Sequence, residues 1–175
     1  MDSIDFSALE EYIYENRLMD SFLHGLDHWR QVEFNGLLLA KKTFADETVV
    51  RLFALFHDSK RCVDGYDDTH GESGAEFAAE LRGKLYDLDD KRFEKLIHAC
   101  SFHTTENASG DVTIDTCYDA DRLDLGRVDI YPDPKKMATK AGKKLAAKLL
   151  QISTIDHRKF LRNVIRQNRS DLRLE

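Results

Sequence analysis

The sequence has few of the residues that break helices or cross-link chains. Its 175 residues include two prolines, Pro132 and Pro134, and three cysteines that form no CxxC pair. Cysteines that are odd in number and widely spaced argue against a disulfide framework and a thiolate zinc site, and they favour a reducing cytosol. No window approaches about 18 continuous apolar residues, and the first residues carry no apolar run of signal length. We therefore expect neither export nor membrane insertion.

Several catalytic motifs are also missing. The chain has no GxxxxGK[ST] and no GxGxxG after a strand, which argues against nucleotide binding by a phosphate loop. It has no GxSxG, which argues against a serine hydrolase. His24 precedes His28 by one helical turn, but Gly25 stands where a zinc-protease HExxH motif has its glutamate. Without that general base, the zinc-protease interpretation fails.

Helical periodicity is what the sequence has in abundance. In residues 47–58, apolar side chains recur at steps of three and four after Asp46, a residue suited to cap a helix. Strand-like alternation is confined to one short segment, 111–114, and loops are expected at 59–69 and 105–113. The predicted helices lie near 5–18, 26–45, 47–58, 70–85, 89–104, 115–125, 135–150 and 154–168. The predicted fold class is all-α, with a single helical bundle over residues 1–175, its core at about 20–130 and basic helices at 135–170.

The net charge of −6 conceals an uneven distribution. Residues 1–134 hold 14 Lys and Arg against 29 Asp and Glu, whereas residues 135–175 hold 12 against 3. A basic pair of C-terminal helices packed on an acidic body explains this pattern. The alternative is a nucleic-acid-binding tail, because clustered Lys and Arg form the electrostatic footprint of such proteins. The tail carries a single aromatic residue, Phe160, so base stacking is not favoured.

Seven histidines are spread through the chain, and one of them is adjacent to an aspartate, in the pair His57-Asp58. The pair follows the run Leu52–Phe56, the most apolar helix of the sequence. An imidazole and a carboxylate at the buried end of such a helix are costly to desolvate, and a divalent cation compensates that cost directly. Nitrogen and oxygen ligands suit Zn, Mn, Fe, Ni or Co. We therefore predict a metal site centred on this pair.

Periodicity separates other polar residues by the helix face that they occupy. His28 shares a face with the inward stripe of its helix, and His103 lies at the end of an inward stripe. His98, five residues before His103, falls on the flank, where we expect a role toward substrate rather than metal binding. Asp121 follows Cys117 by one turn, in a segment with more carboxylates than a core helix usually carries.

Five segments contain histidines and aspartates in a fixed order along the chain: His24–Val32, Ala54–Ser59, His70–Ala75, Ala99–Thr104 and Ala120–Asp124. Their order resembles the HD superfamily of metal-dependent phosphohydrolases, and the resemblance spans about residues 20–130. Within that superfamily the chain is most similar to small bacterial proteins with no assigned substrate.

The resemblance implies one or two divalent metal ions per chain, with Mn, Fe, Ni, Co, Zn and Mg all open. The first ion would be bound by His28, His57, Asp58 and Asp121. Members of the superfamily with two extra histidines commonly hold a second ion, which here would be bound by His70 and His103. Asp58 would then bridge the two ions.

The resemblance further implies hydrolysis of a phosphate ester or anhydride in a small nucleotide or related metabolite. A bound cation lowers the pKa of a water ligand and polarises a phosphoryl oxygen. Asp58 and Lys60 are assigned to catalysis, together with His98, which could protonate a leaving group. Developing charge needs further cations, although pairing with nearby carboxylates is the alternative for each arginine. The residues assigned to substrate binding are Arg61, Arg122, Arg30 and His24.

Two other functions are open on the sequence. The same six ligands serve mixed-valence di-iron oxygenases of this superfamily, for which bound iron and oxygen consumption are diagnostic. The other alternative is a non-catalytic nucleic-acid-binding module, whose binding would weaken with salt and survive loss of the metal. We expect a small phosphorylated metabolite or nucleotide as partner, in the cytoplasm and without a membrane, and a nucleic-acid partner is not favoured. We make no prediction of the oligomeric state.

Overall fold

The computed structural model describes residues 4–171, with side chains described as far as Val164. Within residues 4–171 the chain forms eight α-helices and no strand, so the all-α prediction is confirmed. No helix in this range is long and apolar enough to cross a membrane. The helices are α1 (Phe6–Glu15), α2 (Leu26–Thr43), α3 (Glu47–Phe56), α4 (His70–Leu81), α5 (Asp90–Phe102), α6 (Val112–Arg122), α7 (Lys140–Leu149) and α8 (His157–Asp171).

Capping residues set where these helices begin. The side chains of Asp46 and Asp89 accept hydrogen bonds from backbone N–H groups in the first turns of α3 and α5. Asp111 does the same for α6, because its Oδ1 accepts from the backbone nitrogens of Thr113 and Ile114. The strand-like segment 111–114 is therefore the start of a helix, since its short apolar spacing also fits a first helical turn.

The central helix of the bundle is α3. It packs against α2, α5 and α6, and its apolar side chains are buried on every face, as expected for a helix surrounded by protein. Burial of each large side chain, such as Phe53 or Phe56, stabilises the fold by about 1.5–3 kcal/mol. Because α3 ends inside the protein, His57 and Asp58, which follow it directly, are buried as well.

Glycines at the start of α4 set how closely this helix approaches its neighbours. A Cβ atom at Gly71 would lie 2.6 Å from the carbonyl oxygen of Cys100, and one at Gly74 would collide with the carbonyl oxygen of Phe56. Only a residue without a side chain permits this approach. As a result His70, the first residue of α4, lies beside the C-terminal ends of α3 and α5.

The two C-terminal helices are attached to the body through buried polar contacts. Asp119 of α6 accepts hydrogen bonds from the backbone nitrogens of Ala138 and Thr139 at 2.7 and 2.8 Å, just before α7. Arg158 of α8 donates two hydrogen bonds to the carboxylate of Asp124, at 2.7 and 2.8 Å. One basic residue of the C-terminal segment thus pairs with a carboxylate of the acidic body, while backbone nitrogens make the contact at Asp119.

Candidate metal centre

Six side chains from five parts of the chain meet at one place inside the bundle. All but one of them are at most 5% exposed, and the exception is Asp121, whose side chain is 17% exposed. These are the same six residues that the sequence resemblance implied as metal ligands. They are His28 of α2, His57 and Asp58 after α3, His70 of α4, His103 after α5 and Asp121 of α6.

The carboxylate of Asp58 lies between two groups of ligands. Its Oδ2 is 3.5 Å from Nε2 of His28 and 3.7 Å from Nε2 of His57. Its Oδ1 is 3.3 Å from Nε2 of His70 and 3.8 Å from Nε2 of His103. Asp58 with either histidine pair forms a trio of ligand atoms that could hold a metal ion.

We call these two groups of ligands the first half and the second half of the cluster. The first half comprises His28, His57, Asp58 and Asp121. The second half comprises Asp58, His70 and His103.

Within each half the ligand atoms have the spacing of groups that share one ion. In the first half, Nε2 of His28 lies 3.1 Å from Nε2 of His57 and 3.3 Å from Oδ1 of Asp121. In the second half, the Nε2 atoms of His70 and His103 are also 3.1 Å apart. Ligands bound about 2.1 Å from one ion stand roughly 3.0–3.5 Å from each other. The distances between histidine nitrogens fall in this range, and the distances from Asp58 reach 3.8 Å, slightly above it, so each half is close to the spacing that one ion requires.

The other ring nitrogen of each histidine fixes which nitrogen faces the cluster. Each Nδ1 atom lies 2.6–3.1 Å from an oxygen that can only accept a hydrogen bond. The acceptors are the carboxylate of Asp124 for His28, and the carbonyl oxygens of Phe53, Asp67 and Cys100 for His57, His70 and His103. Nδ1 therefore carries the proton, and the Nε2 lone pair points into the cluster. Lone pairs that face each other at this distance need a cation or a proton between them.

The protonation of the first half differs between its two histidines. Burial lowers the pKa of His28, but hydrogen bonds with Asp121, Asp124 and Asp58 outweigh burial and raise that pKa to about 10. Burial dominates at His57 and lowers its pKa to about 3. For Asp58, burial favours the neutral acid, but the surrounding histidines outweigh it and hold the pKa of the carboxyl well below its usual range. A metal ion therefore competes with a proton at His28 and not at His57.

Two residues assigned to substrate binding reach the cluster. His24 Nδ1 lies 3.0 Å from Oδ2 of Asp58. Arg61 is 8% exposed, and its Nη1 lies 3.1 Å from Nε2 of His70 and 3.5 Å from Oδ1 of Asp58. These contacts place one side chain against each oxygen of the shared carboxylate.

Two residues assigned to catalysis, Lys60 and His98, make their polar contacts away from the cluster. Lys60 donates a hydrogen bond of 2.6 Å to the carbonyl oxygen of Asn16, and its ammonium group lies over the ring of Phe77. Nε2 of His98 lies 2.8 Å from a carboxylate oxygen of Glu106, with both side chains partly exposed. The structure therefore brings neither residue to the six ligands.

The remaining two arginines are also occupied elsewhere. Arg30 pairs with Glu10 of α1 at 2.7 Å, which is the carboxylate pairing considered as the alternative. Arg122 donates hydrogen bonds to three backbone carbonyl oxygens, those of Glu106, Asn107 and Lys136, and so ties two loops to α6.

Sequence reasoning missed the residues that orient the first half. Asp124 accepts from Nδ1 of His28 at 2.8 Å and is itself held by Arg158. Arg127 lies 3.4 Å from Nδ1 of His24. The only signal for Asp124 was its position one turn after Asp121, because α6 ends at Arg122 and periodicity no longer assigns a face beyond it.

Comparison with known proteins identifies one solved structure that resembles this chain over almost its whole length. It is the crystal structure of a predicted HD superfamily hydrolase from an uncultured Thermotogales bacterium. The TM-score is 0.64 and the sequence identity 25%, and the match covers 94% of this chain and 92% of that one. No family model and no curated protein matches the chain.

Proposed function

The chain has the HD-domain fold, and on that premise we propose that it is a metal-dependent hydrolase of phosphate esters or anhydrides. The proposal rests on one observation: in each half of the cluster, the Nε2 atoms of two histidines face each other at a distance of 3.1 Å. The Thermotogales protein of the same fold is described as a predicted hydrolase, which agrees with it.

The donor set fits divalent cations. Imidazole nitrogen and carboxylate oxygen suit Mn, Fe, Co, Ni and Zn, and each Nδ1 atom has the hydrogen-bond acceptor that a metal-bound histidine needs. When bound, such an ion supplies Lewis acidity toward a phosphoryl oxygen and toward water. The proposed ligands are the four residues of the first half for one ion and the three residues of the second half for another.

Substrate reaches the cluster from the side of His24 and Asp121 in this proposal. The side chain of His24 is 12% exposed and that of Asp121 is 17% exposed, whereas the side chains of the five remaining metal ligands are at most 3% exposed. Arg127 lies against His24 on this side and brings a fixed positive charge. A cation beside the opening favours an anionic substrate and stabilises charge that develops during phosphoryl transfer. His24, hydrogen-bonded to Asp58, is the group best placed to hold or pass a proton there.

A small nucleotide or a related phosphorylated metabolite is the proposed substrate. Two aromatic side chains, Phe22 and Tyr66, are almost fully exposed on the two loops that flank the cluster. A hydrogen bond from Ser21 to Asp64 joins these loops. Exposed aromatic faces can stack on a nucleobase without selecting its identity. This arrangement supports a substrate that carries a planar group as well as a phosphate.

The test is phosphate release from a panel of nucleotides and sugar phosphates, with and without added Mn²⁺. We expect release that requires a divalent ion and that is lost in Asp58→Ala, because this change removes the carboxylate shared by both halves. Asp87→Ala is the matched control, since Asp87 is 78% exposed and lies 3.9 Å from Arg82, remote from the cluster in its contacts. Full phosphate release by Asp58→Ala would overturn the proposal.

Running the same assay under argon separates hydrolysis from the oxygenase alternative. The two chemistries share their ligands, but only hydrolysis proceeds without oxygen. We expect the rate of phosphate release to be unchanged when oxygen is removed. A product that forms only with iron and oxygen would favour the oxygenase instead.

A further inference from the structure

The two halves of the cluster differ in what lies against their ligand atoms. In the second half, Nη1 of Arg61 is 3.1 Å from Nε2 of His70 and 3.5 Å from Oδ1 of Asp58. These are two of the three atoms that an ion in this half would use. In the first half, Nδ1 of His24, a neutral or cationic imidazole rather than a guanidinium, lies 3.0 Å from Oδ2 of Asp58. The polar contacts of the Nε2 atoms of His28 and His57 in the described part of the chain are with other ligands of the cluster.

The guanidinium of Arg61 is held in this position by its own loop. Its Nε donates to the carbonyl oxygen of Val63 at 3.3 Å, and its Nη2 donates to that of Gly65 at 2.7 Å. With Nη1 against the cluster, all three nitrogens have partners, and the residue is 8% exposed. A buried charge that is fixed on three sides is poorly screened by solvent, so it acts strongly on any second charge nearby.

The carboxylates are divided unequally between the halves. The first half contains Asp58 and Asp121, whose two negative charges balance one divalent ion. The second half contains no carboxylate of its own, because Asp58 is shared and the other two ligands are imidazoles. Asp67, whose carbonyl oxygen orients His70, directs its carboxylate to the backbone nitrogens of Cys62 and Thr69 instead. An ion in the second half therefore meets Arg61 without a counter-charge reserved for it.

From these contacts we infer that Arg61 is the resident cation of the second half. It supplies there the positive charge that a second metal ion would bring. The protein thus holds one ion tightly in the first half and binds another in the second half more weakly, by about tenfold or more. This inference rests on the proposed metal centre, and it gives Arg61 a role in selecting metal content rather than in binding substrate.

The test is a calorimetric titration of the metal-free full chain with Mn²⁺. For the wild-type protein we expect one tight and one weak ion. In Arg61→Met the dissociation constant of the weak ion falls by about tenfold or more, because the like charge is gone, while that of the tight ion stays the same. Arg61→Lys is the matched control, since it keeps the charge and should leave the second ion weak.

Further variants keep the result interpretable. Arg61→Gln retains a donor for the loop carbonyl oxygens without the charge, so it should behave like Arg61→Met even if the latter folds poorly. In Arg61→Met combined with His103→Ala, the tightened ion is expected to disappear, which assigns it to the second half. Circular dichroism of each variant confirms that the helices are retained.

Two results would overturn the inference, and they differ in what they say of the proposed function. If the wild type binds two ions with equal affinity, or if Arg61→Met and Arg61→Gln leave the second dissociation constant unchanged, Arg61 has no such role and the hydrolase proposal stands. If neither the wild type nor any Arg61 variant binds Mn²⁺, Zn²⁺, Co²⁺ or Fe²⁺, the metal centre itself fails and this inference fails with it.

Discussion

Two of the four ligands of the first half lie within helices, whereas the ligands of the second half lie at helix ends or in a loop. His28 and Asp121 lie within α2 and α6, and Asp124 and Arg158 fix the orientation of His28. His70 opens α4, His103 follows α5, and both are oriented by backbone carbonyl oxygens of the preceding turn. The first half therefore draws on more distant parts of the chain than the second.

The difference teaches how similar nitrogen ligands can give unequal metal sites. Both halves contain two histidines whose Nε2 atoms are 3.1 Å apart. They differ in charge, since the first half has a carboxylate of its own and the second half has Arg61. We expect charge, more than the number of nitrogen ligands, to rank the two sites.

The largest effect should come from removing one histidine from each half in turn. His57→Ala takes a ligand from the first half and should reduce phosphate release to background. His103→Ala leaves all four first-half ligands in place and should retain activity at least about tenfold above that background. Initial rates at saturating Mn²⁺ test this prediction. Equal losses in the two variants would show that the halves are equivalent.

A smaller effect is expected from the residue that orients His28. Asp124→Asn keeps an acceptor for Nδ1 of His28 but removes the charge and the ion pair with Arg158. Mutation of a residue that orients a metal ligand in this way weakens metal binding by roughly 10–100-fold. We expect this shift in the dissociation constant of the tight ion, with the weak ion little affected. An unchanged tight constant would mean that Asp124 serves only to attach α8.

Proton competition should make metal binding in the first half depend on pH. His28 has its pKa raised to about 10 in the metal-free protein, so it is protonated at neutral pH and must lose that proton to bind metal. Affinity for the tight ion should therefore rise as pH increases, by about tenfold per unit below that pKa. Titrations at several pH values, with release of one proton measured in buffers of different ionisation enthalpy, test this. An affinity that is flat with pH would exclude a protonated His28.

The close approach of α4 provides the smallest and most local test. A Cβ at Gly71 would lie 2.6 Å from the carbonyl oxygen of Cys100 and 3.4 Å from Cε1 of His103. Gly71→Ala should cost about 1–3 kcal/mol of stability through this overpacking. Because the clashing atom is the carbonyl oxygen that accepts from Nδ1 of His103, we expect weaker binding in the second half and an unaltered tight ion. Glu76→Ala, at an exposed position of the same helix, is the control.

Apolar periodicity predicted the helices and an inward position for His28 and His103, whereas the full set of six residues was implied by the resemblance to the HD superfamily. His28, His103 and Asp121 each lie on or beside an inward stripe, and the structure brings them together with His57 and Asp58. Periodicity gives no such information outside helices, so the position of Asp124 after α6 was not foreseen.

Loops set the other limit of prediction. Lys60 and Arg61 are adjacent in a loop, and the sequence did not indicate which of the two reaches the metal centre. The structure sends Lys60 to the carbonyl oxygen of Asn16 and Arg61 to the cluster. The two side chains point to different places because carbonyl oxygens within residues 61–65 hold the guanidinium of Arg61. The path of this loop depends on tertiary contacts rather than on local sequence.

Metal content of the purified protein tests the central claim most directly. After extensive dialysis against buffer containing trace divalent metals, mass spectrometry of the wild type should find at least one transition-metal ion per chain. Asp58→Ala, which removes the carboxylate common to both halves, should retain none, and Asp87→Ala should match the wild type. Equal metal content in Asp58→Ala and the wild type would contradict the assignment of the six residues as a metal centre.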